Sequence, residues 1–175
     1  KAVTGIRRAL NTGIEVGVSC CINERNYSNL VEIAEEMRKI GVRKMVFGHL
    51  NYTDGKPKDV DVAKLWLQIE RLKLVKGMSF LPDLLTHELH HWYCSPNTNI
   101  RPEQKCRVAW HGPRIMPDGD VRVAFRCFNQ ESMGNAFEDD LMNVWQGEKY
   151  QEFRKWIGRV GSVKECYRCC SLYGK

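Results

Sequence analysis

The first eighty residues switch repeatedly between two hydrophobic periods. Residues 14–22 (IEVGVSCCI) are short, apolar and rich in β-branched side chains. That pattern predicts a strand buried on both faces. From Leu30 onward the apolar positions fall at Leu30, Ile33, Ala34, Met37 and Ile40, one face of a helix. Asn26 offers an N-cap before it, and Gly41 a left-handed terminating residue after it. Residues 44–50 (KMVFGHL) predict a second strand, followed by a turn-rich loop over 51–58. Asp59 or Asp61 caps the next helix, whose stripe is Val62, Leu65, Ile69, Leu72 and Val75. Gly77 ends it, and residues 78–81 suit a further short strand. Residues 1–11 read as the end of a helix closed by Gly13.

Strands and helices in alternation imply a parallel sheet joined by crossover helices. About two βα units fit before residue 80, too few to close a barrel or to cover both faces of an open sheet. Residues 1–81 are therefore expected to be a piece of a larger α/β barrel or sheet; a small α+β domain is the alternative. Past Pro82 the pattern breaks. A short helix over 84–93 and the loop chemistry around Pro96 and Pro102 make residues 82–105 the expected linker. Residues 106–123 read as a hairpin, with 107–110 and 121–125 as strands around the turn Pro117-Asp118-Gly119-Asp120. Two helical stripes follow, Leu141, Val144, Trp145 and then Phe153, Trp156, Ile157, before a cysteine-rich tail.

Composition narrows the class. The 175 residues are 43% hydrophobic and 27% charged, which describes a folded soluble chain and excludes a disordered or collagen-like one. No apolar run approaches the roughly 20 residues that cross a bilayer, so no membrane partner is expected, and a cytoplasmic location is. The net charge of +6 comes without a dense Lys/Arg block, so nucleic-acid binding is not expected. The chain opens on Lys1 with no signal pattern and reads as beginning mid-protein.

The eight cysteines change the picture most. Cys106 and Cys127 bracket the expected hairpin, and Cys166 and Cys169 form a Cys-x-x-Cys pair further on. A tight Cys-x-x-Cys turn aims two sulfurs at one site, and the hairpin cysteines supply two more. Four thiolates suit tetrahedral zinc or an iron–sulfur cluster, and spacing alone leaves both open, beside buried free thiols. His87, Glu88 and His91 form His-Glu-x-x-His, the pattern of a zinc hydrolase. The loop-like flanks and the lack of a downstream third ligand, His111 apart, argue for a chance match. His49 and Asn51 lie at the carboxyl end of an expected parallel strand, where α/β folds place binding residues.

Several phrases in order resemble the carboxyl-terminal part of a radical S-adenosylmethionine enzyme with a SPASM or twitch auxiliary-cluster extension. They are Gly5-Ile6-Arg7-Arg8-Ala9-Leu10 with Gly13-Ile14-Glu15-Val16, the helix over 26–41, and Cys106. Met116-Pro117-Asp118-Gly119-Asp120-Val121, Cys127, Gly134-Asn135 and Leu141-Met142-Asn143-Val144-Trp145 continue the order. Phe153-Arg154 and Cys166-Tyr167-Arg168-Cys169-Cys170 complete it. The resemblance implies an α/β fold: the last units of a (β/α)6 partial TIM-like barrel over 1–81, then a small cysteine-rich α+β domain, a β-hairpin plus helices, over 106–175. It implies an auxiliary [4Fe–4S] cluster on Cys106, Cys127, Cys166 and Cys169, with Cys170 the alternative to Cys169. His49 and Asn51 are then expected to line the cofactor end of the barrel.

In the full-length protein the resemblance adds S-adenosylmethionine and a second [4Fe–4S] cluster, which together start radical chemistry on a peptide or small-molecule substrate. The implied partners are the missing amino-terminal half of the barrel and a reducing electron donor. Two departures matter. No Cys-x3-Cys-x2-Cys triplet occurs, so this chain alone is expected to be inactive. Ala124 stands where a full SPASM region has a cysteine, which favours one auxiliary cluster over two. The rival readings are a zinc-binding interaction module that uses the same four cysteines without catalysis and, behind it, the His-Glu-x-x-His hydrolase.

Overall fold

The computed structural model describes residues 1–50, 58–95, 105–124 and 127–173. They form two compact units that divide the chain between residues 95 and 105.

The first unit opens with helix α1 (Ala2–Asn11) and strand β1 (Gly17–Ile22). Helix α2 (Leu30–Lys39), strand β2 (Lys44–His49), helix α3 (Val62–Lys73), strand β3 (Met78–Leu81) and helix α4 (Thr86–Cys94) follow. The three strands form one parallel sheet in the order β1-β2-β3. Local chemistry sets the helix ends. The Asp61 carboxylate accepts from the Lys64 N–H at 3.1 Å and caps α3, as expected. Gly41, at φ 105°, turns the chain out of α2 while Val42 N–H donates to Met37 O at 3.0 Å.

One face of the sheet carries the core. Register sets Cys20 beside Phe47 and Phe47 beside Phe80, whose rings lie 5.6 Å apart. Ile22, Met45 and Phe47 are buried there, as are Leu30 and Ala34 of α2 and Leu65, Ile69 and Leu72 of α3. Each of these side chains other than Ala34, fully buried, contributes about 1.5–3 kcal/mol. The opposite face, with Ser19, Cys21, Val46, Ser79 and Leu81, is exposed among the described residues. The expectation that β1 is buried on both faces is thus corrected: its positions alternate, because the helices cover one side only. Helix α4, expected inside a linker, belongs to this unit. Its stripe Leu89, Trp92 and Tyr93 is buried, and Trp92 Nε1 donates to Leu50 O at 3.1 Å.

The second unit is built on a small antiparallel sheet of β4 (Arg114–Ile115), β5 (Asp120–Arg122) and β6 (Gly134–Asn135), in that order. The expected turn is present. Gly119, at φ 84°, donates its N–H to Met116 O at 2.9 Å and lets β5 pair back on β4. Residues 107–110, expected as a strand, are instead a 3₁₀ turn over Val108–Trp110. The reason is tertiary. The Ala109 carbonyl accepts from Arg154 Nε at 3.0 Å, and the Trp110 ring lies against Gly158, where even a methyl group would sit 3.7 Å from it. Both partners belong to helix α6 (Glu148–Val160), which follows helix α5 (Leu141–Gln146). A 3₁₀ turn over Lys164–Cys166 and helix α7 (Cys170–Tyr173) end the unit.

Gly77 tests the register of the first unit. It sits at φ 89°, and an added Cβ would meet Arg43 O at 2.1 Å, while its own carbonyl accepts from Met45 N–H at 2.9 Å. A left-handed conformation alone costs an L-residue about 1–2 kcal/mol. Gly77→Ala is expected to destabilise this unit by more than that, read as a lower midpoint in chemical denaturation.

Candidate metal centre

Three segments of the second unit bring four thiols together. Cys106 is fixed where its N–H donates to Gly161 O at 2.9 Å, just past the end of α6. Gly161 adopts φ 79°, so the chain turns sharply there before running toward Cys166. Cys127 follows the sheet, its N–H directed at Ala124 O at 3.4 Å. Cys166 and Cys169 close the tail turn, with Cys169 N–H donating to Cys166 O at 3.0 Å.

The electrostatics register their convergence. Burial pushes the Cys166 thiol up to about 11, and the charges of Cys169, Cys106 and Cys127 add to the rise. Burial also raises Cys127, which feels Cys106 and Cys169, and raises Cys106, which feels Cys169. Cys170 bears on Cys169 and on none of the other three. Backbone hydrogen bonds oppose the rise: from Val108 at Cys106, from Asn129 and Phe128 at Cys127, and from Ser171 and Leu172 at Cys169. Such N–H···S contacts tune the potential of an iron–sulfur cluster. Among the described residues, no three His, Cys, Asp or Glu side chains converge closely enough for a single metal ion. Four thiols from three segments, coupled electrostatically and met by backbone N–H groups, are a donor set that fits an iron–sulfur cluster.

Sequence reasoning overlooked what braces these segments. Tyr150 Oη donates to Val123 O at 2.8 Å and Arg122 O at 3.2 Å, holding the strand that leads to Cys127. Arg154 lies over the rings of Trp145 at 4.0 Å and Tyr150 at 4.6 Å. It also donates to Ala109 O and, at 2.7 Å, to Trp145 O. One guanidinium thus joins the segment after Cys106 to α5, with cation–π attraction of about 0.5–2 kcal/mol. The i, i+4 spacing of Tyr150 and Arg154 was the available signal.

The other candidate residues lie in the first unit. His49 is 2% exposed on the helix-covered side, the face of Met45 and Phe47, and not on the open face of the sheet. Its Nδ1 is 2.8 Å from Tyr93 Oη, the Trp92 and Tyr93 rings flank it, and Nε2 has no partner. Its packing is therefore that of a core residue. Asn51 lies outside the described residues. Glu88 accepts from Leu85 N–H at 2.7 Å and so closes the first turn of α4, the place expected of a general base being taken by a capping role. His87 and His91 are exposed, and no third ligand joins them among the described residues.

With the geometry established, comparison with known proteins defines the class. Residues 106–170 match the SPASM family model, an iron–sulfur cluster-binding domain. Most of the carboxyl-terminal unit is thus similar to an iron–sulfur cluster-binding domain of the SPASM type. Two solved structures share the fold. Streptococcus suis SuiB matches at 19% identity and TM-score 0.58, over 85% of this chain and 38% of that one. The S. suis SuiB structure bound to S-adenosylmethionine matches at 16% identity and TM-score 0.60, over 97% and 46%. These findings bear out the resemblance drawn from the sequence. The chain spans less than half the length of the solved structures it matches. No curated protein matches it.

His49 gives a pH test of its core placement. Burial lowers its pKa from 6.5 to about 3, with Lys73 acting in the same sense and Asp83 against it. The fold therefore accepts the neutral ring. The corresponding stability is fully present above pH 6.5 and is lost as pH falls toward 3. Denaturation midpoints should drop over that window more steeply in the parent than in His49→Gln. Equal slopes would remove His49 from the core account.

Proposed function

We propose that this chain is the carboxyl-terminal part of a radical S-adenosylmethionine enzyme and holds one auxiliary [4Fe–4S] cluster on Cys106, Cys127, Cys166 and Cys169. The observation that carries this reading is the convergence of four thiols, Cys106 and Cys166 buried and Cys127 and Cys169 half-buried, whose sulfurs receive backbone hydrogen bonds. Bound there, the cluster supplies one-electron redox chemistry. The chain's own residues hold and insulate it: burial and the N–H contacts set its potential, and Tyr150 and Arg154 fix the two arms that bear Cys106 and Cys127.

The three parallel strands of the first unit then belong to a (β/α)6 partial barrel, whose exposed sheet face meets the remaining barrel strands. S-adenosylmethionine and the radical-forming [4Fe–4S] cluster belong to that remainder, since the Cys-x3-Cys-x2-Cys triplet is not in this sequence. The auxiliary cluster serves electron transfer or substrate positioning during modification of a peptide or small molecule, with electrons from a reducing donor in the cytoplasm. Among the described residues no helix is long and apolar enough to cross a membrane. The zinc-module alternative uses the same four thiols, and iron and sulfide analysis separates the two.

Anaerobic reconstitution is expected to load about four irons and four sulfides per chain. Cys127→Ser should lower both several-fold, and Cys20→Ser should leave them unchanged. The loaded, reduced chain should form no 5′-deoxyadenosine from S-adenosylmethionine. Zinc without sulfide, or a cluster lost in Cys20→Ser and kept in Cys127→Ser, would replace this assignment.

A further inference from the structure

A groove of about 340 Å³ opens beside one of the cysteines assigned to the cluster. Its walls are Lys105, Cys106, Arg107, Trp110, His111 and Gly158. Lys105 and Arg107 are exposed cations, His111 is exposed beside them, and no acidic residue lines the groove. None of the three forms an ion pair among the described residues. Trp110 leaves 47% of its surface in solvent although its ring packs on Gly158, so a large aromatic face stands at the edge of a positively charged hollow. Uncompensated positive charge around an exposed Trp is the composition of a docking site, in which the aromatic anchors and the charges steer.

We propose that this groove docks an acidic one-electron carrier protein and that Cys106, in its wall, is the point at which electrons cross between carrier and cluster. The inference rests on the cluster assignment above and adds to it the surface and the partner's charge. Electron transfer slows steeply with distance, so a carrier needs an approach to a cluster ligand that only a thin layer of protein screens. Cys106 is 7% exposed and lines this groove, so it offers such an approach. The step is balanced without further reactants. The reduced carrier loses one electron and the cluster gains it, or the reverse, and no bond forms or breaks.

Another cavity of this unit offers a built-in control. It measures about 330 Å³ and is lined by Phe128, Phe153 and Trp156 with Glu131, Glu152 and Lys149. Its mixed charge has no preference for an acidic partner. Lys149→Glu changes the net charge as much as Lys105→Glu or Arg107→Glu does, but at a different surface.

The test uses the cluster-loaded 175-residue chain and a plant-type [2Fe–2S] ferredoxin as acidic carrier. Calorimetry reads affinity for the oxidised carrier, and stopped-flow mixing reads electron exchange, with each partner reduced in turn. Affinity and exchange rate should fall as salt rises, as expected of attraction between exposed charges. The double variant Lys105→Glu/Arg107→Glu should lower both roughly tenfold or more at low salt, since opposed charges at a rim become like charges. Trp110→Ala should weaken affinity while keeping the salt dependence. Iron content and reduction by dithionite should match the parent in every variant, which shows that the domain is intact. Parent-like affinity in the double variant, an equal loss in Lys149→Glu, or a groove occupied by a second copy in a dimer that the double variant dissociates would each overturn the docking proposal and leave the cluster assignment standing. A chain that takes up no iron and sulfide would overturn both.

Discussion

Everything in the carboxyl-terminal unit depends on holding four sulfurs, spread over the sequence from Cys106 to Cys169, at one place. Closing loops of that length costs conformational entropy, and burying thiols disfavours their ionised form. The fold meets the first demand in part with α6, a helix that holds the arms bearing Cys106 and Cys127 and leads into the one bearing Cys166 and Cys169. Its end receives Cys106 through Gly161, Arg154 holds the 3₁₀ turn after Cys106, and Tyr150 holds the strand before Cys127. On the cluster assignment proposed above, the second demand is met when metal replaces the thiol protons. The raised thiol pKa values and the backbone N–H groups at the sulfurs describe a site that prefers to be neutral or loaded.

The first unit obeys a different constraint. A parallel sheet must be covered on both faces, and here the helices cover one. Ile22, Met45 and Phe47 find their partners within the unit, whereas Val46 and Leu81 remain 39% and 46% exposed on the other side. On the reading proposed above, that exposed face is the one that the rest of a larger barrel would cover.

Much of this was legible in the sequence, for physical reasons. The stripes at Leu30–Ala34 and Leu65–Ile69–Leu72 are strictly periodic, so helix positions followed directly, and Asp61 caps α3 as read; α2, however, begins after Asn29, and the Asn26 side chain expected to cap it accepts from Asn23 N–H instead. The turn glycine at 119 and the Cys-x-x-Cys turn are also local features. What failed was tertiary. Residues 107–110 have strand-like composition, but Arg154 and Gly158, some 45 residues away, decide their conformation. His49 stands at a strand end, yet which face it takes depends on its register with Met45 and Phe47, and that parity puts it among the helices. Local loop signals at Pro82 and Ser95 concealed that Leu89, Trp92 and Tyr93 form a buried stripe.

The claim that Cys106, Cys127, Cys166 and Cys169 together hold one four-iron cluster is tested most directly by Mössbauer spectroscopy of the chain reconstituted with isotopically enriched iron. The account predicts a single diamagnetic cubane species, with every iron in a tetrahedral sulfur site and about four irons per chain. Isolated high-spin iron, or a two-iron spectrum at full loading, would contradict it.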